Sequence, residues 1–473
     1  MRKMKPKRVG QLFLLIAFSS FFFLNGRNAT ALTLREAIKI ALERNYQILN
    51  FKEELENARL NLELTEKNLF APQVELNLSP YGKLWKKGMW SSLSELQLTG
   101  KIGFSNGSQL SAHYTGDYRL EEGEYSDYYG VQLDLPLFQD VELSSPSLQL
   151  HEVRLSVKKS ELELDQAGKD LLINVIKSFY RLKELRDSLK VAEEKLKQRE
   201  REVEKLLQQV NLGTAGRLEL LSAKINLESS KKELDVLQDE FSLTLDEFCH
   251  SLGLEKTSSP LVYPEIKEEK LKEKAKELLM RKITEEVLTK DKEVKEARWA
   301  VEQAELRLRQ KRQALSPSFS VSIGYSSGNK LEEDELEEWK ATFGLTYKLF
   351  DGGQGRLSER IVQGQLEIAR RNLENAKRSA QLAILSKRNA LREALSQLRL
   401  LELKREEMRF QEKLKEEQFR LKLISSDQLR DFQIERMSSE NDYRAALHEL
   451  LICYLSYRQA LGMDLEIDEV ISR

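Results

Sequence analysis

The sequence predicts a mainly α-helical chain with a small β part, built as a duplicated unit of helix, strands, long helix and shorter helix. Three observations predict it. The eight prolines among 473 residues leave 147–259 and 318–473 free of proline. That permits very long helices, since proline costs a helix interior roughly 3 kcal/mol. The series Leu220, Leu234, Phe241, Phe248 and Leu252-Gly253-Leu254-Glu255 recurs 209 residues later as Leu429, Tyr443, Leu450, Tyr457 and Leu461-Gly462-Met463-Asp464. After Pro72 and Pro317 the apolar spacing changes from helical to alternating. A length that would suggest about three domains therefore reads as one elongated protomer of two repeats, 32–259 and 260–473.

The first 31 residues read as a signal peptide: Arg2, Lys3, Lys5, Lys7 and Arg8, then an apolar run from Val9 to Leu24, then Ala29-Thr30-Ala31 at a cleavage site. An uncleaved anchor is the alternative, and the absence of a nearby cysteine argues against a lipidated start. A helical segment then covers 34 to about 70, with Leu55, Ala58, Leu62 and Leu69 at helical spacing; its counterpart covers about 285 to 315. Proline ends each. Val74, Leu76 and Leu78 next alternate with Glu75, Asn77 and Ser79, and Phe319, Val321, Ile323 and Tyr325 alternate with serines and Gly324, the pattern of strands with one apolar face. Return strands carry Tyr129, Val131, Leu133 and Leu135 in the first repeat and Phe343, Leu345, Tyr347 and Leu349 in the second. The strand regions span about 73–138 and 317–350.

The first repeat is 33 residues longer between its strand landmarks, and the surplus, 96–104 and 110–118 about Asn106-Gly107, reads as another hairpin. Beyond the strands come helices of more than sixty residues, from 147 and from 355, each followed by a break and an antiparallel partner. The helical hairpins span about 147–253 and 355–462. Leu234, Leu237, Phe241, Leu245, Phe248 and Leu252 step by threes and fours, the seam of a coiled coil.

Composition excludes several function classes. Without the first 31 residues, which hold six bases and no acid, 70 Lys and Arg face 77 Asp and Glu, a balance of -7. That lacks the basic surplus of a nucleic-acid binder. His113, His151, His250 and His448 lie far apart, with no metal-ligand spacing. Asp351-Gly352-Gly353-Gln354-Gly355 is followed by Arg356-Leu357 rather than the Lys-Ser/Thr of a phosphate loop, and reads as a strand-to-helix junction. No enzymatic constellation and no cofactor site is expected. Cys249 and Cys453 are expected to be isolated thiols in helices, with a disulfide between them in an oxidising compartment as the alternative.

A soluble β-sandwich with coiled-coil arms would share the alternation. The strand chemistry favours membrane strands: segments of about 8–12 residues, a polar opposite face, and aromatics near the ends at Tyr81, Trp85, Trp90, Tyr128, Tyr129, Trp339 and Tyr347. So few strands cannot close a barrel alone, so subunits must share one. A mean hydropathy of -0.51 does not oppose this, because such strands are half polar.

In this order of features the chain resembles the TolC-like outer-membrane channel proteins of bacterial efflux and type I secretion. The likeness rests on Leu32-Thr33-Leu34-Arg35-Glu36-Ala37-Ile38 with Ala41-Leu42, the junctions at Pro72 and Pro317, the exit Leu349-Phe350-Asp351-Gly352-Gly353, and Asn211-Leu212-Gly213-Thr214 before Glu219-Leu220-Leu221. The resemblance implies a homotrimer in the outer membrane, with a shared transmembrane β-barrel in lipid continuing into a periplasmic α-helical tunnel. It also implies a passive duct that works with a periplasmic adaptor (membrane fusion) protein and an inner-membrane pump or ABC transporter. It implies acidic rings at the periplasmic gate, carried over to Asp431, with Asp427 beside Gln428 and with Glu219 in the first repeat. Adaptor-contacting turns would be Leu212, Gly213 and Thr214, and Lys422, Leu423, Ile424 and Ser425, where Lys422 replaces the glycine. The alternative for the acids is solvated residues suiting a helix dipole. The family usually supplies four strands per subunit; four core strands with the surplus hairpin as an external flap are expected here, with six as the alternative. The second functional class is a periplasmic coiled-coil adaptor or scaffold.

Overall fold

The computed structural model describes residues 32–86, 89–119, 123–138, 140–255, 260–330 and 333–471; the expected signal peptide lies outside them. In chain order the elements are β1 (Leu32–Thr33), α1 (Leu34–Arg44), α2 (Tyr46–Phe70), β2 (Gln73–Lys86), β3 (Met89–Gly103), β4 (Gln109–Arg119), β5 (Glu124–Leu137), α3 (Ser145–Asn211), α4 (Arg217–Ser251), β6 (Leu261–Val262), α5 (Glu268–Met280), α6 (Glu285–Leu288), α7 (Lys292–Gln313), β7 (Ser318–Lys330), β8 (Glu333–Thr346), α8 (Gln354–Arg420) and α9 (Ser426–Ala460).

Helices dominate, and the two hairpins match in length. α3 and α8 have 67 residues each, and α4 and α9 have 35 each. At about 1.5 Å per residue the longer pair runs roughly 100 Å. α3 begins at Ser145, two residues earlier than the proline pattern suggested, because Pro146 occupies the first turn, where its missing N–H is not needed. α8 begins on the junction at Asp351, whose carboxylate accepts from Gly353 N at 2.9 Å and Gly355 N at 2.8 Å. Those bonds hold its carboxyl below the usual range.

The segments expected as single helices are each broken by a cap. Asn45 ends α1 and starts α2, its Oδ1 accepting from Gln47 N at 2.9 Å and Ile48 N at 3.2 Å while its Nδ2 donates to Ser251 O at 2.8 Å. After α6 ends at Leu288, Asp291 starts α7, accepting from Glu293 N and Val294 N. The helix α5 and the parallel β1–β6 pair, Leu32 beside Leu261, were not expected from the sequence.

The core sits at the waist, midway along the long helices. Phe179, Tyr180, Ile176 and Leu182 of α3 meet Phe248 of α4, Leu271 of α5, Ile384 and Leu391 of α8, and Leu450, Leu451, Tyr454 and Tyr457 of α9. Tyr180 stacks on His448 with ring centroids 4.5 Å apart, and burial pushes its phenol pKa up. Cys249 and Cys453 are not joined in a disulfide. Burial, then the Glu449 charge, pushes the Cys453 thiol up to about 12.

At one end of the helices lies a six-stranded antiparallel sheet of order β2-β3-β4-β5-β7-β8. The surplus hairpin is therefore not a flap beside a four-strand sheet. β3 pairs with β2, and β4 with β5, along their lengths.

Candidate functional site

Two regions bear on function: the sheet and the far tips of the helical hairpins. The register of the sheet puts Val74, Gly100, Ala112, Val131, Tyr325 and Trp339 in one row across all six strands, and Leu76, Leu98, Tyr114 and Tyr129 in the next. Toward the helices, Ile102, Leu110, Leu133, Ile323 and Ala341 align likewise. Because side chains alternate, the opposite face collects Glu75, Thr99, His113, Gly130, Ser326 and Glu338 in one row, and Lys101, Ser111, Gln132, Gly324 and Lys340 in the next. On that face Asp134 accepts from Gln132 Nε2 at 2.8 Å and Ser322 Oγ at 2.5 Å. The apolar face is bare: Val74 is 72% exposed, Phe343 74% and Trp339 74%. Among the described residues, the edge strands β2 and β8 each pair with one neighbour, β3 and β7 respectively.

At the tips, both turns close the same way. Gly213, with φ of 73°, donates to Val210 O at 3.0 Å, and Thr214 N to Gln209 O at 2.9 Å. Lys422, with φ of 60°, donates to Phe419 O at 2.9 Å, and Leu423 N to Gln418 O at 2.8 Å. This is a glycine-type helix end, in which the left-handed residue releases two carbonyls to bonds from beyond the helix. Lys422 takes that conformation despite its Cβ. Leu212, Leu421 and Leu423 all stand exposed there.

Ser425 caps α9, its Oγ accepting from Gln428 N at 3.2 Å while Gln428 Oε1 accepts from Ser425 N at 2.9 Å. Gln428, the uncharged neighbour of Asp427, thus completes a capping box. Glu219 behaves similarly in the other hairpin, accepting from Gly216 N at 3.4 Å, and it bonds within its own hairpin.

Asp431 and Asp427 instead reach across to α3. Gln198 Nε2 donates to Asp431 Oδ1 and, at 3.4 Å, to Asp427 O; Lys205 Nζ meets Asp427 Oδ2 at 2.8 Å. Gln198 is buried and stands two helical turns from Lys205, so one face of α3 receives both acids. The bond to Asp427, and then its charge, raises the Lys205 pKa. With Glu202, Leu206 and Gln209 these groups line a cleft of about 260 Å³ between the hairpins. Sequence reasoning named the two acids but missed Gln198 and Lys205, which lie more than 220 residues away and share no motif with them.

The model of the outer membrane efflux protein family matches residues 37–241 and 283–462. Solved structures of the same fold include CusC, at 14% identity over 94% of this chain and 96% of that one, with a TM-score of 0.64. The CmeC outer membrane channel of Campylobacter jejuni shares 13% identity over 92% of this chain and 87% of its own, with a TM-score of 0.64. VceC, an outer membrane protein of Vibrio cholerae, shares 13% over 92% and 97%, with a TM-score of 0.64. No curated protein matches the chain in sequence.

Proposed function

Because the chain belongs to the outer membrane efflux protein family, we propose that it is the passive exit duct of a tripartite efflux or type I secretion system. Three copies share one barrel in the outer membrane and one helical tunnel in the periplasm. The observation that carries this reading is a sheet with two open edges and one apolar face, crossing all six strands from Val74 to Trp339 and turning polar on β7 and β8 at Ser327 and Glu337, joined to helical hairpins about 100 Å long. In lipid an open edge leaves backbone groups unsatisfied. β2 leads away from the helices and β8 returns toward them, so β8 of one copy beside β2 of the next extends the antiparallel order. The tandem repeats, 32–259 and 260–473, give each copy two hairpins for the tunnel wall.

The gate is read at the tips. Asp431 and Asp427 tie α9 to α3 through Gln198 and Lys205; Lys205 offsets Asp427, and threefold repetition concentrates the charge of Asp431 at a narrow mouth that favours cations. The turns at Leu212, Gly213 and Thr214 and at Lys422, Leu423, Ile424 and Ser425, exposed except for the half-buried Ile424, are the docking points for a periplasmic adaptor, which couples the duct to an inner-membrane pump or ABC transporter. An adaptor identity for the chain itself is disfavoured: it would call for compact β domains interrupting one hairpin, whereas here one open sheet joins two hairpins.

Two measurements test the proposal. The protein is expected to leave membranes only with detergent; recovery in the soluble periplasm would overturn it. Purified protein in planar bilayers is expected to conduct, and Asp431→Ala to weaken block by divalent cations. A variant indistinguishable from wild type would remove Asp431 from the gate.

A further inference from the structure

We infer that the surplus hairpin, β3 and β4, is part of the membrane wall with its apolar face against lipid acyl chains, so that three copies close a barrel of eighteen strands rather than twelve. The inference rests on the trimeric duct proposed above and adds how wide its outer opening is.

Three observations converge on it. First, the hairpin is an internal member of the sheet: β3 is bonded to β2 and β4 to β5. β2 and β5 do not touch, so the hairpin cannot leave without breaking two ladders and exposing two new edges. Second, its turn lies at the helical end. The Ser105 carbonyl accepts from Ser144 Oγ at 2.8 Å and Ser147 Oγ at 3.0 Å, both at the start of α3. A Cβ on Gly103 would lie 2.4 Å from Leu69 O, at the end of α2. An external flap would be anchored at the other end. With 15 and 11 residues, β3 and β4 have the 9–11 residues that a tilted spanning strand needs. Third, the apolar stripe runs through them without a gap: Leu96, Leu98, Gly100 and Ile102 on β3, and Leu110, Ala112 and Tyr114 on β4, fall in line with the apolar residues of β2 and β5. Their polar alternates, Gln97, Thr99, His113 and Thr115, continue the other face.

Barrel diameter grows roughly linearly with strand number, so the eighteen-strand opening is about 1.5 times as wide as a twelve-strand one. The outer-membrane end is then a broad vestibule, and selection falls to the acidic cleft at the helical tips.

Nitroxide labels test the placement directly. In protein carrying Cys249→Ala and Cys453→Ala, reconstituted in lipid vesicles, labels at Leu98→Cys and Ala112→Cys are expected to collide preferentially with oxygen. Labels at Thr99→Cys and His113→Cys are expected to collide with a water-soluble nickel chelate. Equal access of the chelate to all four overturns the inference. Native mass of the same samples separates the two failures: a trimer with a water-exposed hairpin sinks the eighteen-strand wall alone, whereas a monomer sinks the duct on which it rests. A deletion of 87–122, joining Lys86 to Gly123, gives a second readout in bilayers. The largest polyethylene glycol admitted from the outer side is expected to fall by about a third in radius. An unchanged size limit in a conducting variant contradicts the wider opening.

Discussion

The waist and the tips of the same helices are held in different ways. At the waist α3, α4, α5, α8 and α9 bury aromatic and aliphatic side chains from both hairpins, so their relative position is fixed by packing. At the tips, the acids of α9 reach α3 through one amide and one lysine. The Lys205–Asp427 pair is exposed and holds little, and the Gln198 amide adds a single buried hydrogen bond, against about 2–5 kcal/mol for each buried leucine at the waist. The contrast teaches where an opening motion fits: tips can separate while the waist holds register.

Breaking the waist has the largest expected effect. Leu391→Ala, at a fully buried position, is expected to cost about 2–5 kcal/mol, read as a lowered thermal midpoint of the detergent-solubilised protein. A change no larger than that of a tip variant would erase the contrast.

Next is the joint between α5 and the second hairpin, where Glu268 bonds Lys272 at 2.6 Å and accepts from the Tyr443 hydroxyl. Burial pushes the Glu268 carboxyl up, but the bonds from Lys272 and Tyr443 outweigh it and hold the group below its ordinary value. With the folded pKa depressed, its contribution is present above the unfolded value near 4.3 and lost as pH falls through the folded one. Glu268→Gln is expected to cost about 2 kcal/mol near neutral pH and to reduce the loss of stability on acidification. An acid-unfolding profile unchanged by the substitution would remove Glu268 from the joint.

At the tips, Lys205→Met deletes the pair with Asp427. Because the pair recurs in each of three copies, open probability in bilayers is expected to rise several-fold. The thermal midpoint should hardly move. A stability loss without a gating change would mean that the pair is only a brace.

The smallest effect separates the two turns. Lys422→Gly relieves a left-handed residue bearing a Cβ and is expected to stabilise by about 1 kcal/mol, whereas Gly213→Ala should cost about as much. Hydrogen exchange at the two tips reads both. Equal effects of the same sign would show that the turns are not equivalent.

Much of this was legible in the sequence because it is written in local patterns. Alternation after Pro72 and Pro317 marked β2 and β7, and the long proline-free tracts marked α3 and α8. The breaks at Asn45 and Asp291 were not legible, since the apolar period runs on through a cap made by one polar side chain. Six strands rather than four could not be decided by alternation, which β3 and β4 share with any half-buried hairpin; pairing between distant strands decides it. Asp431 and Asp427 were named by resemblance. Their receivers were not, because contact between α3 and α9 is set by the packing of the waist rather than by spacing along the chain.

The central claim is that three copies make one duct, and end-on images of the detergent-extracted particle, together with its mass, test it most directly. The account predicts a mass of three chains and a threefold ring whose water-filled lumen continues from the strands into the helices. Particles of one chain, or a ring with no lumen through the sheet, would contradict it.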